Sequence, residues 1–292
     1  MSGNTELNNI KLVGDLVRQY APELSFTMCE IGARQIAGQQ EPFYALLELF
    51  PESKLIGFEV DAESCKELNK TAPPYICYYP TAIGGLNGEQ TLYETLGPEC
   101  SSLYKPNDAL LNKYNALEQV AVKAEHKLLV STLDSFIEEN NIGSIDFIKI
   151  DIQGAELDAF KGGVNALKDT VFIVSEVEFI PLYENQPLFG DVCKFLSSEG
   201  LMFHKFLGLA GRSIKPVILQ NNINFGTQHM WSDAVYIKDI EKLNKVPPDS
   251  LLKLALLATL YGSPDVTYHC FELYDELKKT NLLQDFINKV VN

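Results

Sequence analysis

Short apolar segments alternate with amphipathic segments along most of the chain, and this alternation limits the possible folds more than any other feature. Five apolar runs have the length of buried strands, at residues 26–31, 54–60, 75–79, 145–152 and 171–177. Three later segments, over 201–207, 215–219 and 234–238, predict the closing strands. Helical spacing of apolar residues lies between several of them, for example over 43–50 and 155–168. Strands that alternate with helices in this way predict an α/β fold with a mainly parallel sheet covered on both faces.

The pattern changes after Pro247 and Pro248, where three helical segments follow one another. We therefore predict two parts, an α/β domain over residues 1–246 and a C-terminal helical appendage over 247–292. The first of these helices, over 251–260, is apolar nearly all round, and such a helix must be buried. Its partner is either the α/β domain or a second copy of the chain, and we predict a homodimer through these helices.

Charge and cysteine content narrow the possible partners. The chain has 24 Lys and Arg against 39 Asp and Glu, a formal net charge of −15. This balance argues against nucleic acid and anionic membrane surfaces as partners, and it favours a cationic ligand. The six cysteines form no CxxC pair and the four histidines are scattered, so we predict no metal site and a cytoplasmic location. The sequence shows no signal peptide and no apolar run long enough to span a membrane.

Four acidic residues follow predicted strands, at Glu30, Glu59, Asp151 and Glu176. Any one of them could equally be a helix cap or a solvated turn residue. Together they are expected at one edge of the sheet, where the ligands of parallel α/β sheets bind. Glu59 lies 27 residues beyond Gly32, a spacing at which an acid can reach the hydroxyls of a ribose. The sequence therefore predicts a nucleoside cofactor.

The loop after the first strand indicates which kind of nucleoside binds. It offers Gly32 and Gly38, but it lacks the GxGxxG pattern that brings a helix N-terminus close to a pyrophosphate. A cofactor without phosphates fits this loop, and S-adenosylmethionine, whose sulfonium is cationic, is such a cofactor. A nicotinamide-dependent oxidoreductase is the weaker alternative, because the second and third glycines are absent.

Three motifs carry a resemblance to a known family: "TLDSFIEEN" followed by "IDFIKIDIQGAELDAFKGG", "GFEVD" at 57–61, and "EVEFIPLYENQPLF" at 176–189. With them the chain resembles the FkbM family of S-adenosylmethionine-dependent methyltransferases from about residue 26 to 238. The resemblance implies a Rossmann-like class I methyltransferase sandwich with a seven-stranded sheet, and a hydroxyl oxygen of a small molecule or glycan as methyl acceptor. The alternative is a degenerate methyltransferase fold that serves as a cofactor-binding or interaction module, since Glu30, Arg34 and Ile36 depart from the family's first motif.

The resemblance also implies the cofactor-binding residues. Glu30, Gly32 and Ala33 would lie by the methionine part, and Glu59 would bind the ribose hydroxyls. The adenine would lie beside Ala82 and Ile83.

The transfer site is expected around Asp151, which the resemblance places next to both cofactor and acceptor. An alcohol acceptor needs a general base, and the candidates are Asp151, then Glu176, then His229. Acceptor contacts are predicted for Glu156, Tyr183 and Trp231. A first-turn helix partner is an equal alternative for Glu156, and core packing is the alternative for Tyr183 and Trp231.

Overall fold

The computed structural model describes residues 3–34 and 41–291. The helices are α1 Gly3–Tyr20, α2 Tyr44–Leu49, α3 Ala62–Thr71, α4 Asp108–Leu111, α5 Leu133–Glu139, α6 Glu156–Lys161, α7 Val164–Asp169, α8 Phe189–Ser198, α9 Pro248–Leu260, α10 Pro264–Lys278 and α11 Leu282–Phe286. The strands are β1 Thr27–Ile31, β2 Lys54–Phe58, β3 Ile76–Tyr79, β4 Ala82–Ile83, β5 Gly88–Thr95, β6 Val122–Ser131, β7 Phe147–Ile150, β8 Phe172–Glu178, β9 Leu201–Phe206, β10 Ala210–Gly211 and β11 His229–Lys238.

The central sheet has the strand order β3-β2-β1-β7-β8-β11, and β9 and the two-residue β10 both pair with β11. The first five strands are parallel, and β11 runs antiparallel to β8 and β9. The predicted α/β class with a mainly parallel sheet is confirmed. Ile31 pairs with Phe58 on one side and Ile150 on the other, so the ends of β1, β2 and β7 meet at one edge.

Each face of the sheet carries its own hydrophobic core. On one face, Phe147, Phe172 and Val235 pack with residues of α1, α2, α9 and α10. On the other face, Ile148, Ile173 and neighbours pack with residues of α5 to α8. The apolar composition of β7 and β8 follows from this arrangement, because strands covered on both faces have no solvent-facing side.

Helix α9 is buried on all sides within the single chain. It packs against α1 and α10, and Tyr261, just after it, stacks on Phe147 and Phe172. Lys253 forms a buried ion pair with Asp146 at 2.8 Å. The side of α9 that could have required a second copy is therefore covered by its own domain. The homodimer and the division at residue 247 stay predictions, while α9 shares the core of the sheet.

A second sheet of three strands, in the order β4-β6-β5, stands beside the main one. Its two long strands, β5 and β6, pair antiparallel, from Gly88 opposite Val130 to Thr95 opposite Val122. We call this pair the β5–β6 ribbon. The sequence analysis did not identify β6, although its apolar residues alternate with mostly polar ones, at Val122, Ala124, Leu128 and Val130. Most residues of this strand are exposed or half-buried. Conversely, the strand predicted over 215–219 is wrong, since turns and irregular backbone occupy these residues.

Two further features concern the cysteines and the possible membrane spans. All six cysteines are free thiols. Among residues 3–34 and 41–291, none of the helices is both long enough and apolar enough to cross a membrane.

Candidate active site

A cavity of about 520 Å³ opens at the carboxyl edge of the sheet. Its size is within the range of about 300–1,000 Å³ that is usual for small-molecule sites. Gly32, Glu59 and Asp151 line it where β1, β2 and β7 end, and Ala82 and Ile83 line it from β4. The β5–β6 ribbon forms part of its wall. Five predicted cofactor-binding residues therefore lie around one cavity.

Gly32 is held in a conformation that a side chain would not tolerate. Its φ is +85°, and a Cβ at this position would lie 2.0 Å from the backbone oxygen of Asp151. The backbone nitrogens of Gly32 and Ala33 both donate to the carbonyl of Phe58. The chain after β1 can thus turn tightly against the residue that follows β7, and glycine is needed for this close approach.

Glu59 lines the cavity with a buried carboxylate. Its Oε1 accepts a hydrogen bond from the backbone nitrogen of Asp61 at 2.7 Å, and Oε2 can accept from the hydroxyls of a ligand. Burial raises the pKa of Glu59, while the Asp61 amide and Arg34 act in the opposite direction. A buried carboxylate that is fixed by one backbone bond suits the paired hydroxyls of a ribose.

The cavity is acidic overall. Five carboxylates line it against two basic side chains: Glu59, Asp61, Glu94, Glu99 and Asp151 against Arg34 and His126. Such a lining favours a cationic ligand and disfavours one with several phosphates. Apolar contacts come from Ala82, Ile83 and other side chains. The residues present therefore fit a nucleoside cofactor that carries a positive charge and no phosphate.

A carboxylate cluster lies next to the cavity, and Asp151 is the member that lines it. Side-chain oxygens of Asp151, Glu156 and Glu176 lie within 4.8 Å of one another, close enough to share a proton or to contact one cation. Burial raises the pKa of Glu156 to about 7, and burial followed by repulsion from Asp151 and Glu178 raises the pKa of Glu176. The Glu156 carboxylate also accepts hydrogen bonds from the backbone nitrogens of Ile152 and Gly154, so it fixes the loop after β7.

Gln153 connects two of these carboxylates, and the sequence analysis did not select it. Its Nε2 donates to Asp151 Oδ1 at 2.8 Å and to Glu176 Oε2 at 2.5 Å. Tyr183, which was predicted to contact the acceptor, is buried, with its hydroxyl 2.9 Å from Gln153 Oε1. One sequence signal for Gln153 was not used, namely a polar side chain between a strand-end acid and Gly154.

Glu30 and Ala33 lie beside this cavity and do not line it. The Glu30 carboxylate is buried and accepts a hydrogen bond from the Tyr44 hydroxyl at 3.0 Å. Burial raises the pKa of Glu30 to about 7, with smaller opposing effects from Tyr44 and Lys149. Lys149 forms an ion pair with Asp233 at 3.0 Å. A contact of Glu30 or Ala33 with the cofactor stays a prediction. Ile36 and Gly38 lie outside the described residues.

The structure places His229 away from the carboxylate cluster, and Trp231 lies two residue pairs further along β8 and β11 than Glu176. In the pairing of β11 with β8, Asp233 lies opposite Glu176 and Trp231 opposite Glu178. His229 is four residues before Asp233, roughly 13 Å along a strand, and its side chain is exposed. The Arg212 guanidinium lies 4.8 Å from the centre of the Trp231 ring. Geometry therefore favours Asp151 and Glu176 over His229 as the base.

The chain is similar to several known proteins. Residues 30–202 match the family model described as "Methyltransferase FkbM domain". The 2-O-methyltransferase NoeI of Sinorhizobium fredii is 29% identical over 180 residues, which cover 60% of this chain and 72% of NoeI. A solved S-adenosylmethionine-dependent methyltransferase from Aquifex aeolicus aligns over 76% of this chain and 89% of its own, with 10% identity and a TM-score of 0.29. A TM-score this low supports no conclusion about the present chain.

Proposed function

The chain belongs to the FkbM methyltransferase family, whose domain spans more than half of it, and we propose that it methylates a hydroxyl oxygen of a neutral glycan or a similar polyhydroxylated small molecule. It is a methyltransferase that uses S-adenosylmethionine. The name of its relative NoeI, a 2-O-methyltransferase, supports oxygen as the acceptor atom. Nothing supports a degenerate interaction module or a nicotinamide-dependent oxidoreductase. The observation that carries the proposal is the Asp151 and Glu176 pair, of which Asp151 lines an acidic cavity.

The bound cofactor supplies a methyl group on a positively charged sulfur. For its binding we assign the ribose hydroxyls to Glu59 and the adenine to the apolar wall at Ala82 and Ile83. The acidic lining attracts the positive charge. Gly32 lets the backbone approach the ligand beside Asp151. These residues would hold the reacting carbon close to the acceptor, and positioning of this kind can supply up to roughly 7–11 kcal/mol of rate acceleration.

Asp151 is the base in this proposal. It lines the cavity, whereas Glu176 does not, and burial together with Asp151 raises the pKa of Glu176. Glu176 therefore holds a proton to higher pH than a free glutamate does, and Asp151 is the carboxylate that faces the acceptor. Asp151 would accept the hydroxyl proton as the acceptor oxygen bonds to the methyl carbon and the carbon–sulfur bond breaks.

The charge of the cluster selects the class of acceptor. Asp151, Glu156, Glu176 and Glu178 all lie at this end of the sheet, and Lys149 is already paired with Asp233. An acceptor with a phosphate or carboxylate group would be repelled, while hydroxyl groups can donate to these oxygens. We therefore propose neutral or amino-substituted acceptors.

Methyl-labelled S-adenosylmethionine tests the proposal with neutral, amino-substituted and uronic-acid oligosaccharides as acceptors. We expect O-methyl products from the first two, identified by mass spectrometry and NMR. Asp151→Asn should lower turnover about a hundredfold or more. Glu23→Gln, an exposed acid far from the site, serves as the matched control. Methylation of nitrogen, a preference for uronic acids, or full turnover in Asp151→Asn would contradict the proposal.

Location and assembly are proposed on separate grounds. Six free thiols support a cytoplasmic location, because reduced cysteines persist there. Exposed Tyr268 on α10 is the apolar surface residue at which we propose a homodimer through the C-terminal helices. Light scattering of the wild type and of a Tyr268→Asp variant tests this assembly, and a monomeric wild type at high concentration would contradict it.

A further inference from the structure

Gln153 occupies an unusual place between β7 and β8. Its backbone is left-handed, with φ at +58°, and Gln153 lines the cavity together with Asp151. The two N–H groups of its amide point to two different carboxylates, Asp151 at 2.8 Å and Glu176 at 2.5 Å. One neutral side chain therefore donates hydrogen bonds to both candidate bases.

The orientation of this amide is fixed from the opposite side. The Tyr183 hydroxyl lies 2.9 Å from Gln153 Oε1 and 2.8 Å from the carbonyl of Cys100. The Ser102 hydroxyl donates to the backbone oxygen of Gln153 at 2.7 Å. Tyr183 and Ser102 are each 1% exposed. An amide turned the other way would place its oxygen against two carboxylate oxygens, so the N–H groups face the acids.

We infer that Gln153 is a positioning residue for methyl transfer, which orients the Asp151 and Glu176 carboxylates and stabilises the negative charge that they share. The inference rests on the proposed function, in which Asp151 is the base. Two carboxylates this close repel each other, and N–H donors to the ionised form reduce that repulsion. Without the amide, the pair would share its negative charge less favourably and would be a poorer proton acceptor at neutral pH.

Other ionisable groups also act on the pair. Those that face it from the surrounding elements are Glu156, Glu178, Cys100, Tyr183, Glu41, Asp233 and Lys149. Most of them are acidic, and Lys149 is the cation among them. A substitution of Gln153 leaves all of these groups in place, so the pH dependence that it changes reports on the amide.

The first test is the pH dependence of turnover in two variants. Gln153→Glu removes both donors and adds an acid, and Gln153→Ala removes the donors without a new charge. We expect turnover at neutral pH to fall at least a hundredfold in Gln153→Glu and tenfold in Gln153→Ala. The acid limb of the profile should move up by at least one pH unit in both. Gln19→Glu, on the exposed surface of α1, is the matched control and should leave the profile unchanged.

The second test requires neither cofactor nor turnover. Carboxyl ¹³C NMR of protein with labelled glutamate follows the titration of Glu176, whose signal is assigned by its loss in Glu176→Gln. We expect the Glu176 midpoint to lie at least one pH unit higher in Gln153→Ala than in the wild type. Unchanged midpoints and acid limbs in folded variants would overturn the inference while hydroxyl methylation by the wild type stands. If the wild type methylates no hydroxyl acceptor, the proposed function fails, and the NMR midpoint still decides whether Gln153 acts on the pair.

Discussion

Replacement of Glu30 by glutamine should make the protein more stable at neutral and alkaline pH. Glu30 is buried, and burial is the main reason that its pKa rises from 4.5 to about 7. An ionised carboxylate at this position therefore costs stability. Glutamine has nearly the same shape, and its oxygen can still accept the Tyr44 hydroxyl.

The sign and size follow from proton linkage. Between pH 4.5 and 7 the folded protein holds the Glu30 proton more tightly than the unfolded chain does, so the free energy of unfolding falls as pH rises through this window. The raised pKa corresponds to a loss of ~3 kcal/mol above pH 7, of which about 2 kcal/mol falls between pH 5.5 and 8.5. The variant lacks this loss.

Urea unfolding at several pH values between 5.5 and 8.5 measures the effect. The stability of Glu30→Gln relative to the wild type should rise by about 2 kcal/mol across this range. Contributions from Glu156 and Glu178 cancel, because both proteins contain them. The exposed Glu23→Gln variant should show no such trend. A difference between Glu30→Gln and the wild type that stays constant with pH would refute the reasoning.

Three further predictions concern the cavity and the cluster. Glu59→Ala should weaken S-adenosylmethionine binding by about 1.5–3 kcal/mol through lost charge-assisted hydrogen bonds; calorimetry that shows unchanged affinity would contradict the ribose assignment. Gly32→Ala should lower the free energy of unfolding by more than the ~1–2 kcal/mol of a positive φ, because its Cβ meets the Asp151 backbone, whereas Gly190→Ala, with open space around its Cβ, should not destabilise. Turnover should survive dialysis against EDTA, because we predict no metal and the Gln153 amide already donates hydrogen bonds to two carboxylates of the cluster. Loss of activity that Mg²⁺ restores would contradict this.

The sheet could be predicted from the sequence because its strands are buried on both faces. The apolar runs that end in Glu30, Glu59 and Asp151 identify parallel strands and their shared edge. The strand β6 could not be predicted in this way. Its apolar residues alternate from Val122 to Val130, but His126 and Leu129 interrupt the pattern. Most of its residues are exposed or half-buried, and its pairing with β5 spans a long intervening segment.

The site residues could also be predicted only in part. Strand-end acids are visible in the sequence because the edge of a parallel sheet collects whatever follows each strand. The role of Gln153 depends on a left-handed backbone and on a partner, Glu176, that comes from another strand. No periodicity encodes such a contact. The burial of Tyr183 and the separation of His229 from Asp151 likewise follow from packing and strand register.

The covering of the sheet by α9 has a consequence for synthesis on the ribosome. Phe147 and Phe172 are made well before residues 248–260, which complete their cover together with Tyr261. During translation, one apolar face of the sheet therefore remains incompletely covered until α9 has left the exit tunnel. A nascent chain exposes this apolar surface up to that point, and termination before α9 yields a product with an open core.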